Sequence, residues 1–278
     1  MNDLQALILG IIQGLTEFLP ISSSGHLIIA KELLGLEVTD NIAFEIAVHC
    51  ATVLSTITIL RKEISTLFLK LFKFQWNNET QYVGMIFLSM IPVMIVGLFF
   101  KKNVEQLFGE GLMLVGTMLL VTAILLALSS FKSLKVKKLK GLPHVITDGS
   151  KPSINWISAL LIGVAQAVAV LPGLSRSGAT IATGLLAGVK KEEVAKFSFL
   201  MVLIPILGET ILSALNGEFS VIASGISTSS LLIGFLAAYL CGCLACKFMI
   251  ELVKRTNLLW FALYCSIVGW FVLIYSLC

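Results

Sequence analysis

Apolar runs of about 20 residues, the length of a helix that crosses a hydrocarbon core, recur along the whole of this 278-residue chain. Of its residues 57% are hydrophobic and only 13% are charged, whereas soluble domains carry about a quarter charged residues. No interval between the runs is as long as a soluble domain. The sequence therefore predicts an all-α polytopic membrane protein, with one membrane domain over residues 1–278.

The apolar segments are of two kinds. Six are uninterrupted and predict transmembrane helices, at residues 42–60, 82–100, 112–131, 194–215, 230–250 and 258–277. Two others, residues 4–34 and 154–188, are broken near the middle by Pro, Gly and Ser. A broken helix facing lipid would leave backbone groups unpaired, so such backbone survives only inside protein or beside a water-filled cavity. These two segments predict re-entrant helix-loop-helix hairpins.

The two broken segments are related to each other. A shift of 153 positions pairs Gly10 with Gly163, Gln13 with Gln166, Ser22 with Ser175, Ser24 with Ser177, Gly25 with Gly178 and Phe44 with Phe197. This register predicts an internal repeat, with repeat 1 at about 1–131, a basic linker at about 132–152 and repeat 2 at about 153–278. Each repeat would hold one hairpin and three spans. Because an odd number of crossings reverses the chain, the second repeat is predicted to be inverted.

Basic residues predict the orientation. The linker carries six lysines, and further lysines and arginines follow the first span and precede the last. The positive-inside rule places all three loops in the cytoplasm, so the first hairpin would enter from outside, the second from inside, and their polar tips would meet. The net charge of +4 is concentrated in these loops. It therefore indicates how the chain is oriented in the membrane and does not indicate a nucleic-acid partner.

Ionisable residues stand at both predicted tips. "TEFLPISSSGH" supplies Glu17 and His26, and "LPGLSRSGAT" supplies Arg176. Charges at membrane depth are costly enough to indicate function. A purely structural ion pair between Glu17 and Arg176 is the simpler alternative. It leaves unexplained a set of hydroxyl residues at the same tips: Ser22, Ser23, Ser24, Ser175, Ser177 and Thr180.

A new helix is predicted to begin after each break, which places serine hydroxyls and unpaired backbone N–H groups at two converging helix N-termini. With a guanidinium beside them they would bind a multiply charged anion, above all a phosphate or diphosphate. A glutamate in the same pocket would repel that anion unless it holds a divalent cation or acts as a base. Phosphoryl transfer requires both of these roles.

The motifs "QGLTEFLPISSSGH" and "PGLSRSGAT" closely resemble those of the undecaprenyl-diphosphate phosphatase family, the bacitracin-resistance membrane phosphatases. The resemblance covers essentially the whole chain. It implies hydrolysis of undecaprenyl diphosphate to the monophosphate and inorganic phosphate, which recycles the lipid carrier of bacterial cell-wall synthesis. It further implies a divalent metal ion, Mg²⁺ or Ca²⁺, and a site in the bacterial plasma (inner) membrane that opens to the outer face.

The residues at the two tips are assigned roles as hypotheses. Arg176 and the N-terminal turns would hold the diphosphate, through Ser22, Ser24, Gly25, Ser175, Ser177, Gly178 and Thr180. Glu17 would bind the metal or accept a proton, Ser23 is the expected nucleophile, and His26 would serve as base or acid. A phosphohistidine at His26 and direct attack by water stay open. Many relatives have Glu where this chain has Gln13, which lies one helical turn before Glu17 and would orient that carboxylate or a water.

Other interpretations stay open at this stage. Glu45 and His49, also spaced i, i+4, form either a structural polar pair or a support beside the site. Inverted repeats with broken helices are also the plan of secondary transporters, so a lipid-phosphate flippase or an ion-coupled carrier is the main alternative function. The expected partners are a polyprenyl diphosphate and membrane lipids. A homodimer is compatible with the sequence and is not decided by it.

Overall fold

The computed structural model describes residues 1–36, 42–72, 77–108, 111–139, 154–215, 225–255 and 257–277. Every regular element in these residues is an α-helix, which confirms the all-α prediction for this part of the chain. The helices are α1 (Asp3–Thr16), α2 (Ser23–Leu33), α3 (Ile42–Ile59), α4 (Arg61–Leu71), α5 (Asn78–Phe99), α6 (Lys101–Phe108), α7 (Gly111–Leu139), α8 (Trp156–Val168), α9 (Arg176–Leu186), α10 (Lys191–Met201), α11 (Leu203–Leu215), α12 (Thr228–Arg255) and α13 (Leu259–Leu277).

The described helices include five spans long and apolar enough to cross a membrane. These are Asn78–Phe99, Gly111–Phe131, Lys191–Leu212, Thr228–Val253 and Leu259–Leu277. A sixth is present if Ala43–Ile59 and Arg61–Leu71, bent by 77° at Leu60, count as one span. The chain is therefore a multi-pass membrane protein, as predicted.

The predicted span at residues 194–215 is divided into α10 and α11 at Val202. Pro205 explains the division, because proline has no N–H to donate to the carbonyl of Met201 one turn earlier. The basic linker predicted at 132–152 differs at its start, since α7 continues as a helix to Leu139. Residues 140–152 of that linker lie outside the described part of the chain.

Both segments predicted to be broken are broken at the expected place. Helix α1 ends at Thr16 and α2 begins at Ser23, while α8 ends at Val168 and α9 begins at Arg176. A helix of 14 residues such as α1 is about 21 Å long, well short of the ~30 Å hydrocarbon core. The first helix of each broken segment, α1 or α8, is therefore too short to cross that core by itself.

The two segments also begin their helices with the same caps. The side chain of Asn2 accepts a hydrogen bond from the backbone of Gln5, and that of Asn155 accepts one from Ser158, each within a capping box. Such caps satisfy N–H groups that the first helical turn leaves unpaired. Both caps stand 153 positions apart in the sequence.

Glycine allows helices from the two halves of the sequence to cross closely. Helix α1 packs on α12, α8 packs on α5, and α7 packs on α13. Gly10 faces the backbone of Gly234, Gly163 faces that of Ser89, and Gly116 faces that of Gly269. In lipid, where apolar burial gives little drive for association, such small-residue contacts are what bring helices together.

Gly163→Ala is expected to destabilise the protein. An added Cβ would lie 2.3 Å from the carbonyl oxygen of Ser89, so α8 and α5 must separate, at a cost of about 1–3 kcal/mol. Thermal unfolding in detergent measures the effect. Gly97→Ala is the matched control, because a Cβ there meets nothing within 4 Å and alanine is the better helix former by about 1 kcal/mol. Equal melting temperatures for the two variants would contradict the prediction.

Candidate functional site

Glu17 is the centre of a polar cluster inside the helical core, and its side chain is only 8% exposed. Its Oε1 accepts a hydrogen bond from the Arg176 guanidinium. Its Oε2 accepts from Ser23 Oγ at 2.6 Å and from Gln13 Nε2 at 2.9 Å. The structure thus joins residues that are up to 159 positions apart in the sequence.

The helix breaks place these side chains. Glu17 is the C-cap of α1, Ser23 is the first residue of α2, and Arg176 is the first residue of α9. Each functional group therefore projects from a helix end, where the chain turns, and where backbone N–H groups of α2 and α9 lack partners within their own helix. Gln13, one turn before Glu17, is fully buried and orients the carboxylate, as its spacing predicts.

The two breaks contact each other directly. Ser177 Oγ donates to the carbonyl oxygen of Leu19 at 3.0 Å, and the backbone N–H of Gly173 donates to Ser24 Oγ at 3.4 Å. Gly173 has a φ of 88°, a conformation that glycine adopts without strain. A Cβ at that position would also meet the backbone of Val115 at 2.7 Å. The sequence-based expectation that the tips lie together agrees with these contacts.

The serines before the two helices act as caps. Ser22 Oγ accepts from the N–H of Gly25 at 3.2 Å, and Ser175 Oγ accepts from that of Gly178 at 3.0 Å. Ser22 has a φ of 73°, the one positive φ of a non-glycine residue in the described chain. Backbone in this region costs free energy and persists where the surroundings hold it, commonly at functional sites.

Thr180 forms its hydrogen bonds within α9 and toward α10. It is fully buried, and its Oγ1 donates to the Arg176 carbonyl at 2.8 Å and lies 2.6 Å from Ser198 Oγ. Its hydroxyl therefore braces the first turn of α9, beneath the guanidinium. Diphosphate binding by Thr180, like the roles of the other residues, stays a prediction.

His26 is held apart from Ser23. Its Nδ1 lies 2.7 Å from the Ser22 carbonyl oxygen, and its Nε2 lies 2.8 Å from the Tyr264 hydroxyl. The two rings are parallel within 10°, with centroids 5.6 Å apart. A carbonyl oxygen only accepts, so Nδ1 carries a hydrogen, and in the neutral ring Nε2 then accepts from the Tyr264 hydroxyl. The group in contact with the Ser23 hydroxyl is thus Glu17.

Tyr264 was missed by the sequence reasoning. It lies in α13, 238 positions from His26, and a tyrosine in an apolar span is ordinary. No motif or spacing in the sequence connects it to the first hairpin. Only the packing of α13 in the folded chain brings the two rings together.

A cavity beside Glu17 and Arg176 is lined in part by four hydroxyl residues of α3, α9 and α10, namely Thr52, Thr56, Ser177 and Ser198. The donor set around Glu17 fits a divalent cation. The carboxylate supplies oxygen, and the buried Gln13 Oε1 has no hydrogen-bond partner in the described structure. Among the described residues no group of three or more His, Cys, Asp or Glu side chains gathers. A cation here would therefore share its ligands with bound phosphate and water, as Mg²⁺ usually does.

Fold and site together define a helical, multi-pass membrane protein with an acid, a hydroxyl and a guanidinium in contact at two helix N-termini. The model of the Bacitracin resistance protein BacA family matches residues 6–271. The chain belongs to that family.

Three relatives that match nearly the full length of the chain carry the same name. A protein of Bacteroides fragilis named undecaprenyl-diphosphatase is 54% identical over 272 residues, which are 97% of this chain and 96% of the relative. The protein of the same name from Bacteroides thetaiotaomicron is 53% identical over 280 residues and the full length of both chains. That from Christiangramia forsetii is 45% identical over 278 residues, 99% of each chain.

Proposed function

We propose that the chain hydrolyses undecaprenyl diphosphate to undecaprenyl phosphate and inorganic phosphate, recycling the lipid carrier of cell-wall synthesis and giving bacitracin resistance. The observation that carries the proposal is the buried Glu17, whose carboxylate contacts both a nucleophile-capable hydroxyl and a guanidinium. The names of the full-length relatives support the same activity.

Substrate binding follows from the two helix starts. The N-terminus of a helix attracts anions through its unpaired N–H groups and its dipole. The starts of α2 and α9 lie close enough for their turns to hydrogen bond, and Arg176 at the start of α9 adds a planar fork of donors that fits phosphate. This arrangement would hold the diphosphate and stabilise the charge that develops on the transferred group.

The proton of the nucleophile has an acceptor in place. Ser23 Oγ donates to Glu17 Oε2 at 2.6 Å, which is within reach for general-base catalysis. In the proposed step the Ser23 oxygen attacks the terminal phosphorus and its proton passes to Glu17. The bond to the bridging oxygen then breaks and releases undecaprenyl phosphate. Water afterwards hydrolyses the phosphoserine to inorganic phosphate and regenerates the serine.

Phosphopeptide mapping after a rapid quench in neutral detergent tests this step. Phosphate on Ser23 would support it. Phosphate on His26 would assign the attack to the imidazole, and unmodified protein throughout turnover would favour direct attack by water that Glu17 activates. In each case Arg176 would keep its role of holding the phosphate, whereas Glu17 would accept a proton from Ser23 only in the first.

A divalent cation, Mg²⁺ or Ca²⁺, would be held by the Glu17 carboxylate with support from Gln13. When bound it would neutralise charge on the phosphate oxygens. The amide of Gln13 supplies a neutral oxygen where a carboxylate would supply charge, so the protein alone is expected to bind the cation weakly. Bound diphosphate would then complete the site.

The architecture we propose is an inverted repeat, each half with a re-entrant hairpin and three spans. Reciprocal packing supports it. Gly116 meets Leu273 and Gly269 meets Leu120, and these pairs exchange under the shift of 153 positions. A two-fold axis generates such pairs of contacts, in which the equivalent residues of the two halves exchange places. With the basic loops in the cytoplasm, the site would open to the outer face of the inner membrane.

Phosphate release from a long-chain polyprenyl diphosphate, by protein purified in detergent, tests the function. We expect release that stops on addition of EDTA and returns with excess divalent cation. Folded protein that released no phosphate with any divalent cation would overturn the proposal. Transport of polyprenyl phosphate across liposome membranes would then be measured, because many secondary transporters are also built from inverted repeats.

Tyr264→Phe is expected to lower kcat by about tenfold and to leave KM unchanged. The change removes the support of His26, the expected acid or base, and such a residue contributes a factor of about 10²–10⁴ to the rate. The hydroxyl that holds His26 Nε2 at 2.8 Å is lost, while the ring remains. Tyr275→Phe on the same helix is the matched control, since that ring stacks on Phe271. Equal kcat values for the two variants would show that His26 needs no such support.

A further inference from the structure

His49 of α3 lies beside Glu17 and has no part in the mechanism proposed above. Its Nε2 lies 3.9 Å from Glu17 Oε2, and its Nδ1 lies 2.8 Å from the carbonyl oxygen of Glu45, one turn earlier. Because a carbonyl oxygen only accepts, Nδ1 carries the hydrogen. In the neutral ring Nε2 then carries no hydrogen, and its lone pair faces the carboxylate.

The surroundings hold this ring in place. The side chain of Glu45 does not pair with His49, and instead accepts from Lys31 Nζ at 2.5 Å. Lys31 is 1% exposed, so the turn of α3 that begins at Glu45 is anchored to α2. The ring of His49 is thereby fixed by its backbone bond, with Nε2 directed toward the site.

Two electron-pair donors facing each other at 3.9 Å are too far apart for a hydrogen bond, which spans about 2.7–3.2 Å. The separation suits a metal ion between them, since bonds such as those of zinc, about 2.0–2.1 Å to nitrogen and about 2.0–2.2 Å to oxygen, span at most about 4.3 Å in total. A second observation points the same way. Gln13 Oε1 is buried without a partner among the described residues, and the nitrogen of the same amide contacts Glu17 Oε2.

We propose that His49 Nε2, Glu17 Oε2 and Gln13 Oε1 are the protein ligands of the divalent cation. Rotation of the Gln13 amide by half a turn exchanges its nitrogen and oxygen and converts the donor seen at Glu17 Oε2 into a third ligand. Arg176 stays on the other carboxylate oxygen. Position 13 is a glutamine in this chain and offers no second carboxylate, so the nitrogen of His49 takes the place of that ligand.

The ligand set has a consequence for metal choice. Calcium takes oxygen ligands, whereas imidazole nitrogen suits transition metals, whose affinities rise along the series that begins with Mn²⁺. The chain is therefore expected to bind Mn²⁺ more tightly than Ca²⁺. This inference rests on the proposed function only in that phosphate would complete the coordination shell.

Electron paramagnetic resonance of bound Mn²⁺ tests the inference without turnover or lipid substrate. Protein purified without a polyhistidine tag is mixed with Mn²⁺, alone and with inorganic phosphate, and spin-echo modulation from a directly bonded ¹⁴N is recorded. The chain has three histidines, so the matched variants are His49→Gln, His26→Gln and His144→Gln. We expect the ¹⁴N modulation in the wild type, and its loss in His49→Gln alone.

Competition titrations supply a second readout. His49→Gln is expected to weaken Mn²⁺ binding by at least about tenfold and to change Ca²⁺ binding much less. Modulation that survives in His49→Gln, Mn²⁺ bound without ¹⁴N modulation, or no Mn²⁺ bound with or without phosphate would each overturn the assignment. A failure of phosphate release with an intact ¹⁴N signal would instead overturn the proposed function and leave the metal site standing.

Discussion

Replacing Arg176 by alanine is expected to reduce phosphate release by at least about 10³-fold, the effect of removing an arginine that stabilises phosphoryl transfer. The guanidinium contacts Glu17 Oε1 and belongs to the first residue of α9. Its removal would take away the planar donors proposed to bind the phosphate and the positive charge beside the Glu17 carboxylate. The measurement is kcat/KM for phosphate release in detergent.

Two further variants keep this result interpretable. Arg176→Lys retains a positive charge beside the buried Glu17, so it protects folding, but its point charge cannot form two parallel hydrogen bonds to phosphate. Arg61→Ala removes an exposed arginine at the start of α4 and is expected to keep wild-type activity. Arg176→Ala that melts like wild type and releases phosphate at a similar rate would show that the Glu17–Arg176 pair is only structural.

Glu17→Gln is expected to lower kcat/KM by a similar factor of about 10³ or more, because the proposed mechanism makes this residue both proton acceptor and cation ligand, and it is also the partner of Arg176. Glutamine keeps the size of the side chain and can still bond to Ser23, so the loss reports on charge. Glu32→Gln, an exposed position on α2, is the control.

The double variant Glu17→Gln with Arg176→Ala shows whether the two residues act as a unit. Groups that act together are strongly non-additive, so we expect the double variant to cost about as much as either single change. A loss equal to the product of the two single effects would mean that acid and guanidinium act independently.

Several features of the site could be foreseen from sequence because they follow from local chemistry. Pro and Gly beside polar residues within an apolar run, at Pro20 and Pro172, marked the helix breaks that the structure has. Charges at the two tips indicated that Glu17 and Arg176 would meet, and they do. The spacing of Gln13 and Glu17 on one helical face also predicted their hydrogen bond.

Contacts between distant helices could not be foreseen in the same way. The i, i+4 spacing of Glu45 and His49 suggested a pair, yet their side chains take different partners, Lys31 and Glu17. Tyr264 carries no signal, because its partner depends on how α13 packs. Periodicity determines which face of a helix is polar, whereas the neighbour that this face meets depends on the packing of the whole bundle.

The shift of 153 positions that relates the hairpins places Ser23 opposite Arg176, and both side chains bind the same carboxylate. In a dimer of identical hairpins these positions would have to be the same residue, either two hydroxyls or two guanidiniums. A tandem chain is free of that restriction. Joining the two hairpins in one polypeptide therefore allows a hydroxyl in one hairpin and a guanidinium in the other to contact the same carboxylate, a pairing that two identical chains could not provide at this position.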